Sequence, residues 1–135
     1  MRNGGHVLTS VVRVGCLAAL LVGAFGGHGC GASAPRPPII GVSMAHFDDN
    51  WLTILRTGMT EYAATLPGVA LQFSDAQGDV ARQLNHIQNF VAQGAVALIV
   101  NAADTAATPS MTKVAREAGV PLVYVNRRPA EAALP

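Results

Sequence analysis

The sequence predicts an α/β fold built on a doubly wound parallel sheet, and three observations predict it. From Ile39 onward, short apolar runs alternate with amphipathic stretches of helical period. Cap and turn residues mark each transition. Two of the apolar runs, Ala95 to Val100 and Pro121 to Val125, show no polar face, as in strands buried on both sides of a parallel sheet.

The first strand is Ile39-Ile40-Gly41-Val42-Ser43-Met44. Asp48-Asp49-Asn50 then supply caps for a helix from about Trp51 to Ala64, with Trp51, Ile54, Leu55, Met59 and Tyr62 on its apolar side. Val69 to Phe73 forms the second strand, and Asp75-Ala76-Gln77-Gly78 its turn. The second helix sets Val80, Leu84, Ile87 and Val91 in register and stops at Gly94. After the third strand, Thr108 caps a third helix with Pro109 at its first position, Val114 and Ala115 inward and Gly119 at its end. The order β-α-β-α-β-α-β with short loops implies right-handed crossovers. Arg127 to Pro135 is too short for another helix and strand, so the sheet is expected to be an incomplete lobe, from a fragment or a truncated reading frame.

The N-terminal part differs in kind. Arg2 and Arg13 precede the apolar run from Val14 to Phe25, which is short for a bilayer span and is followed by small residues, the pattern of a signal peptide. The expected organisation is a signal over 1–34, a Pro-rich linker over 35–38 and part of an N-terminal lobe over 39–135. Cleavage after Ala34 or after Ala32 is open, and lipidation at Cys30 is the alternative to soluble release into the periplasm. In either cleavage case Cys16 leaves with the signal, so no intrachain disulfide is expected.

Composition excludes several functions. The net charge is +1, and the nine Lys and Arg residues are scattered from Arg2 to Arg128, which gives no footprint for nucleic acid. Neither Gly-x-Gly-x-x-Gly nor Gly-x-Ser-x-Gly occurs, and no His, Cys or Glu stands at metal-ligand spacing, so neither an enzyme nor a metal site is expected.

In open parallel sheets, ligands bind beyond the carboxyl ends of the strands. Here those ends carry His46, Asp48, Asp49, Asn50, Asp75, Gln77, Asn101, Asp104, Asn126, Arg127 and Arg128, beside Phe47 and Trp51. Carboxylates accept from paired hydroxyls, amides donate and accept, guanidinium donates in a fork, and an aromatic face covers the apolar side of a sugar ring. Plainer roles compete: Asp48 to Asn50 as helix caps, Trp51 as core, Asn101 as a turn former, Arg128 as a solvated charge and His46 as a loop residue.

Four segments carry a family resemblance: Ile40-Gly41-Val42-Ser43, Phe47-Asp48-Asp49-Asn50-Trp51, Ser74-Asp75-Ala76-Gln77-Gly78-Asp79, and Gly119 through Pro129. From about Ile39 to Pro129 the chain resembles the periplasmic binding proteins of sugar ABC transporters, within them the galactose/glucose-binding type. The resemblance implies that Asp49 accepts from sugar hydroxyls, Trp51 stacks on a ring face, Asn126 bonds a hydroxyl and Arg127 stands at a basic position. It implies a monomeric, two-lobed protein that closes on a monosaccharide and is read by an ABC permease or a chemoreceptor. No cofactor is implied, except that the calcium site of some galactose binders would lie beyond Pro135. The opposite-wall contacts would also lie there, so this chain alone is expected to bind sugar weakly or not at all. Trp51 stands where Phe is usual and Arg128 where an acidic residue is common, which leaves the sugar open. A LacI-type regulator domain shares the fold and is the alternative reading, although the apolar start occupies the place of its helix-turn-helix. A non-functional truncated product is another alternative.

Overall fold

The structure, a computed structural model, describes residues 37–134. The expected signal peptide, with Cys16 and Cys30, lies outside the described residues. Of the expected linker, Pro37 and Pro38 are described, exposed and without regular structure.

The chain alternates strand and helix as β1 (Ile39–Met44), α1 (Asn50–Ala64), β2 (Ala70–Asp75), α2 (Val80–Ala92), β3 (Ala97–Val100), α3 (Thr108–Glu117) and β4 (Leu122–Tyr124). Single 3-10 turns lie at Thr105–Ala107 and Glu131–Ala133. The four strands form one sheet in the order β2-β1-β3-β4, and every pairing is parallel. The α/β class with a parallel sheet is therefore as expected.

The winding follows from chirality. Passing from β1 to β2 moves one way across the sheet, while β2 to β3 and β3 to β4 move the other way. Right-handed crossovers therefore put α1 on one face and α2 and α3 on the other. The core divides accordingly. Ile87 and Phe90 of α2 and Met111 and Ala115 of α3 pack with Leu98 and Val100. On the opposite face Leu52, Leu55 and Met59 of α1 pack with Val42, Met44, Leu71, Phe73 and Ile99. Gly41 makes the first packing possible, because a Cβ there would enter the Phe90 ring.

Several expectations are corrected. Helix α1 begins at Asn50 and turns Leu52, Leu55 and Met59 to the sheet, whereas Trp51, Ile54 and Tyr62 are 58%, 65% and 67% exposed. Two apolar stripes run side by side on this helix, about 100° of rotation per residue apart, and the sheet covers only one. The second strand runs to Asp75, two residues beyond Phe73. Helix α2 buries Gln83, Ile87 and Phe90, with Leu84 and Val91 at the margin of that core. Thr108 is the first residue of α3 and not its cap. The helix continues from the 3-10 turn, where the Asp104 carboxylate accepts from Ala106 N at 2.8 Å, and Pro109 comes second. Strand β4 is not buried on both faces: it lies at the sheet edge, and Val123 is 58% exposed.

The glycine stops are as expected, with Gly94 at φ +79 after α2 and Gly119 at φ +68 after α3.

Candidate functional site

Because all four strands are parallel, their carboxyl ends share one rim of the sheet, and that rim holds the four expected site residues. The turn after β1 is held by helix α1. Thr53 Oγ1 donates to Phe47 O at 3.0 Å, and the Arg56 guanidinium lies 4.1 Å over the Phe47 ring centre. Asp49 is the N-cap of α1, and its Oδ1 accepts from Leu52 N at 2.9 Å. This cap fixes the carboxylate at the rim and places Trp51, in the first helical turn, with its indole open to solvent. The core role considered for Trp51 is therefore excluded. His46 is half-buried against Gly78, whose N–H donates to Ala45 O at 2.8 Å and ties the β2 turn to the β1 turn.

At the far end of the sheet, Asn126 sits at φ +66, a left-handed conformation that Asn tolerates better than most residues. Arg127 reaches back over the turn that follows β3, where its Nη1 donates to Ala102 O at 3.0 Å and Ala103 O at 2.9 Å. Ala103 packs against the Val42, Met44 and Leu52 cluster. Strand β3 lies between β1 and β4, so Asp49 and Trp51 stand on one side of its turn and Asn126 and Arg127 on the other. Arg128 is exposed, in keeping with a solvated charge.

Sequence reasoning named Asn101 at this rim but missed its burial, and it missed Gln83. Asn101, expected as a turn former, is fully buried. Its Oδ1 accepts from Ala45 N at 3.3 Å and its Nδ2 donates to Val125 O at 3.4 Å. Gln83 of α2, also fully buried, clamps the same turn: Nε2 donates to Asn101 O at 2.9 Å and Oε1 accepts from Ala103 N at 2.8 Å. Among the described residues, no buried side-chain nitrogen or oxygen lacks a partner.

Among the described residues, three groups titrate away from their ordinary values. The Arg82 N–H bonded to the Asp79 carboxylate at the start of α2 holds that acid low. Burial, then the nearby Arg82 charge, lowers His86, while Asp75 opposes the shift; His86 Nδ1 lies 3.2 Å from Ser43 Oγ. Burial raises Tyr124, whose hydroxyl donates to Thr108 O at 2.8 Å. A groove of about 490 Å³ runs along β4 and α3 to Pro129 and Leu134, and none of the four expected site residues lines it.

Among the described residues, no helix is long and apolar enough to cross a membrane, and no group of three or more His, Cys, Asp or Glu could hold a metal.

Comparison with known proteins agrees with this fold. Residues 40–134 match the model of the periplasmic binding protein domain. A putative rhizopine-binding protein of Rhizobium meliloti is 51% identical over 116 residues, which are 86% of this chain and 35% of that protein. The D-galactose/methyl-galactoside binding periplasmic protein of Haemophilus influenzae is 28% identical over 95 residues, 70% of this chain and 29% of that protein. An ABC transporter solute binding protein of Bacillus halodurans with bound myo-inositol superposes with a TM-score of 0.66 at 33% identity, over 72% of this chain and 34% of that one. The chain thus spans about a third of the length of these relatives. The parallel sheet wound on both faces and the match from Ile40 to Leu134 place the chain in the periplasmic binding protein domain family.

Proposed function

We propose that this chain forms part of one wall of a binding cleft for a small cyclic polyol, in an exported solute-binding protein. The observation that carries this reading is the exposed indole of Trp51 beside the capped carboxylate of Asp49, on the rim that also bears Asn126 and Arg127. Trp51 covers the C–H face of the ring. Asp49 accepts from neighbouring hydroxyls, Asn126 donates and accepts, and Arg127 donates from the part of its guanidinium turned away from Ala102 and Ala103. Each hydrogen bond to a charged group contributes about 1.5–3 kcal/mol net.

Within this class, the inositols are favoured over the galactose/glucose-like hexoses. Solved structures at 33% and 28% identity, from Bacillus halodurans and Caulobacter, each hold myo-inositol. The hexose reading rests on the Asp48-Asp49-Asn50-aromatic run and on the galactose-binding relative at 28% identity. Residues 1–34 act as the export signal, 35–38 as linker and 39–135 as part of the N-terminal lobe, in a periplasmic monomer that delivers its cargo to an ABC permease or a chemoreceptor without a cofactor.

Isothermal titration of the protein purified from its host with myo-inositol, D-galactose and D-glucose tests this. Myo-inositol is expected to bind at least about tenfold more tightly than either hexose, a difference of about 1.4 kcal/mol. The reverse order transfers the assignment to the hexoses, and binding of none of the three removes the polyol function.

A further inference from the structure

We infer that Gln83 and Asn101 are positioning residues of the polyol site: a buried carboxamide brace that sets the relative height of the three rim turns carrying or flanking Asp49, Trp51, Asn126 and Arg127. This rests on the polyol reading above and adds residues that touch no ligand.

The geometry has three parts. Gln83 uses both ends of its amide on the turn after β3, donating to Asn101 O and accepting from Ala103 N at 2.9 and 2.8 Å, so α2 grips that turn as a neighbouring strand would. Asn101 extends the grip sideways. Its side chain accepts from Ala45 N, in the turn leading to Asp49 and Trp51, and donates to Val125 O, next to Asn126. The third part is Arg127, whose Nη1 bonds to Ala102 O and Ala103 O close the loop from the β4 side. Both carboxamides are fully buried, where an amide without partners is costly, so the two residues hold one arrangement and not several. A site that reads ring hydroxyls needs that rigidity, because its donors and acceptors must keep fixed separations.

Two variants separate the contacts. Gln83→Met keeps the volume and removes both bonds to the β3 turn. Asn101→Asp keeps an acceptor for Ala45 N and removes the donor to Val125 O. Binding of myo-inositol and of scyllo-inositol, which differs at one hydroxyl, is measured on the protein from its host, at a temperature where circular dichroism shows each variant folded. Myo-inositol affinity is expected to fall about tenfold, and the myo to scyllo ratio to shift by more than about threefold, the size expected for a lost buried hydrogen bond. Variants that melt earlier yet keep the affinity and the ratio would show a brace that serves the fold alone and would overturn the inference. Amide hydrogen exchange supplies a reading that needs no ligand. In Gln83→Met, protection should fall at Ala45, Ala103 and the Asn126-Arg127 turn but persist at Val42 and Leu98. A loss of protection spread evenly over β1 and β3 overturns the inference. If the unaltered protein binds neither inositol, the polyol reading fails, and the exchange pattern alone decides whether the brace fixes the rim.

Discussion

Asn126 shows how one residue can satisfy the backbone and still offer a side chain. Its φ of +66 suits glycine best, and Asn is among the few other residues that accept it at modest cost. Asn126→Gly therefore separates the two roles. Folding stability should stay within about 0.5 kcal/mol by urea titration, since the backbone conformation is retained. Polyol affinity should drop about tenfold or more if the carboxamide meets a hydroxyl, and an unchanged Kd would leave Asn126 as a turn former only. The residues carrying polar groups to the rim were legible in the sequence because each follows an apolar run at a strand end. The bracing contacts of Asn101 and Gln83 were not. Asn101 follows Val100 as any turn former would, and its partners lie 56 positions away at Ala45, 24 away at Val125 and 18 away at Gln83. No local spacing encodes a contact of that range.

At the scale of elements, strand and helix order was legible because caps and stops are local chemistry. Asp49 ahead of α1, and Gly94 and Gly119 at helix ends, do the work their residue types allow. The rotation of α1 was not legible. Its sequence carries two apolar stripes of nearly equal quality, and only the sheet decides between Leu52-Leu55-Met59 and Trp51-Ile54-Tyr62. Leu52→Ala should cost about 2–5 kcal/mol, because it empties a fully packed site, while Ile54→Ala should stay within about 0.5 kcal/mol. Denaturant midpoints of the two variants check the assignment, and equal losses would mean that α1 packs with a different rotation. The depth of β4 escaped for a similar reason: an apolar run says that a strand can be buried, but its place at the edge comes from the order of the whole sheet.

At the scale of the molecule, stability should depend on pH through groups that tie one element to another. His86 joins α2 to β1 through Ser43, and its folded pKa lies below the ordinary value of about 6.5. The unfolded chain therefore takes up the proton first. The contribution of His86 is complete above about pH 6.5 and is lost as the pH falls from there through the lower folded value. Arg82 and Asp75 are the charges that act on it, in opposite senses. Urea midpoints measured from about pH 7.5 to 5 should fall for the unaltered chain and fall less for His86→Gln. Parallel curves would show that His86 is not the source of the acid sensitivity in this range, since Asp79, held below the ordinary carboxylate range, titrates beneath it.

The exposure of Trp51 has a further consequence. It is the single tryptophan of this sequence, and its indole stands open to water on the rim. The chain thus carries its own optical probe at the place where a ring would stack. A bound polyol would strip water from the indole and move its emission to shorter wavelength, so occupancy can be followed in unlabelled protein from within the first turn of helix α1.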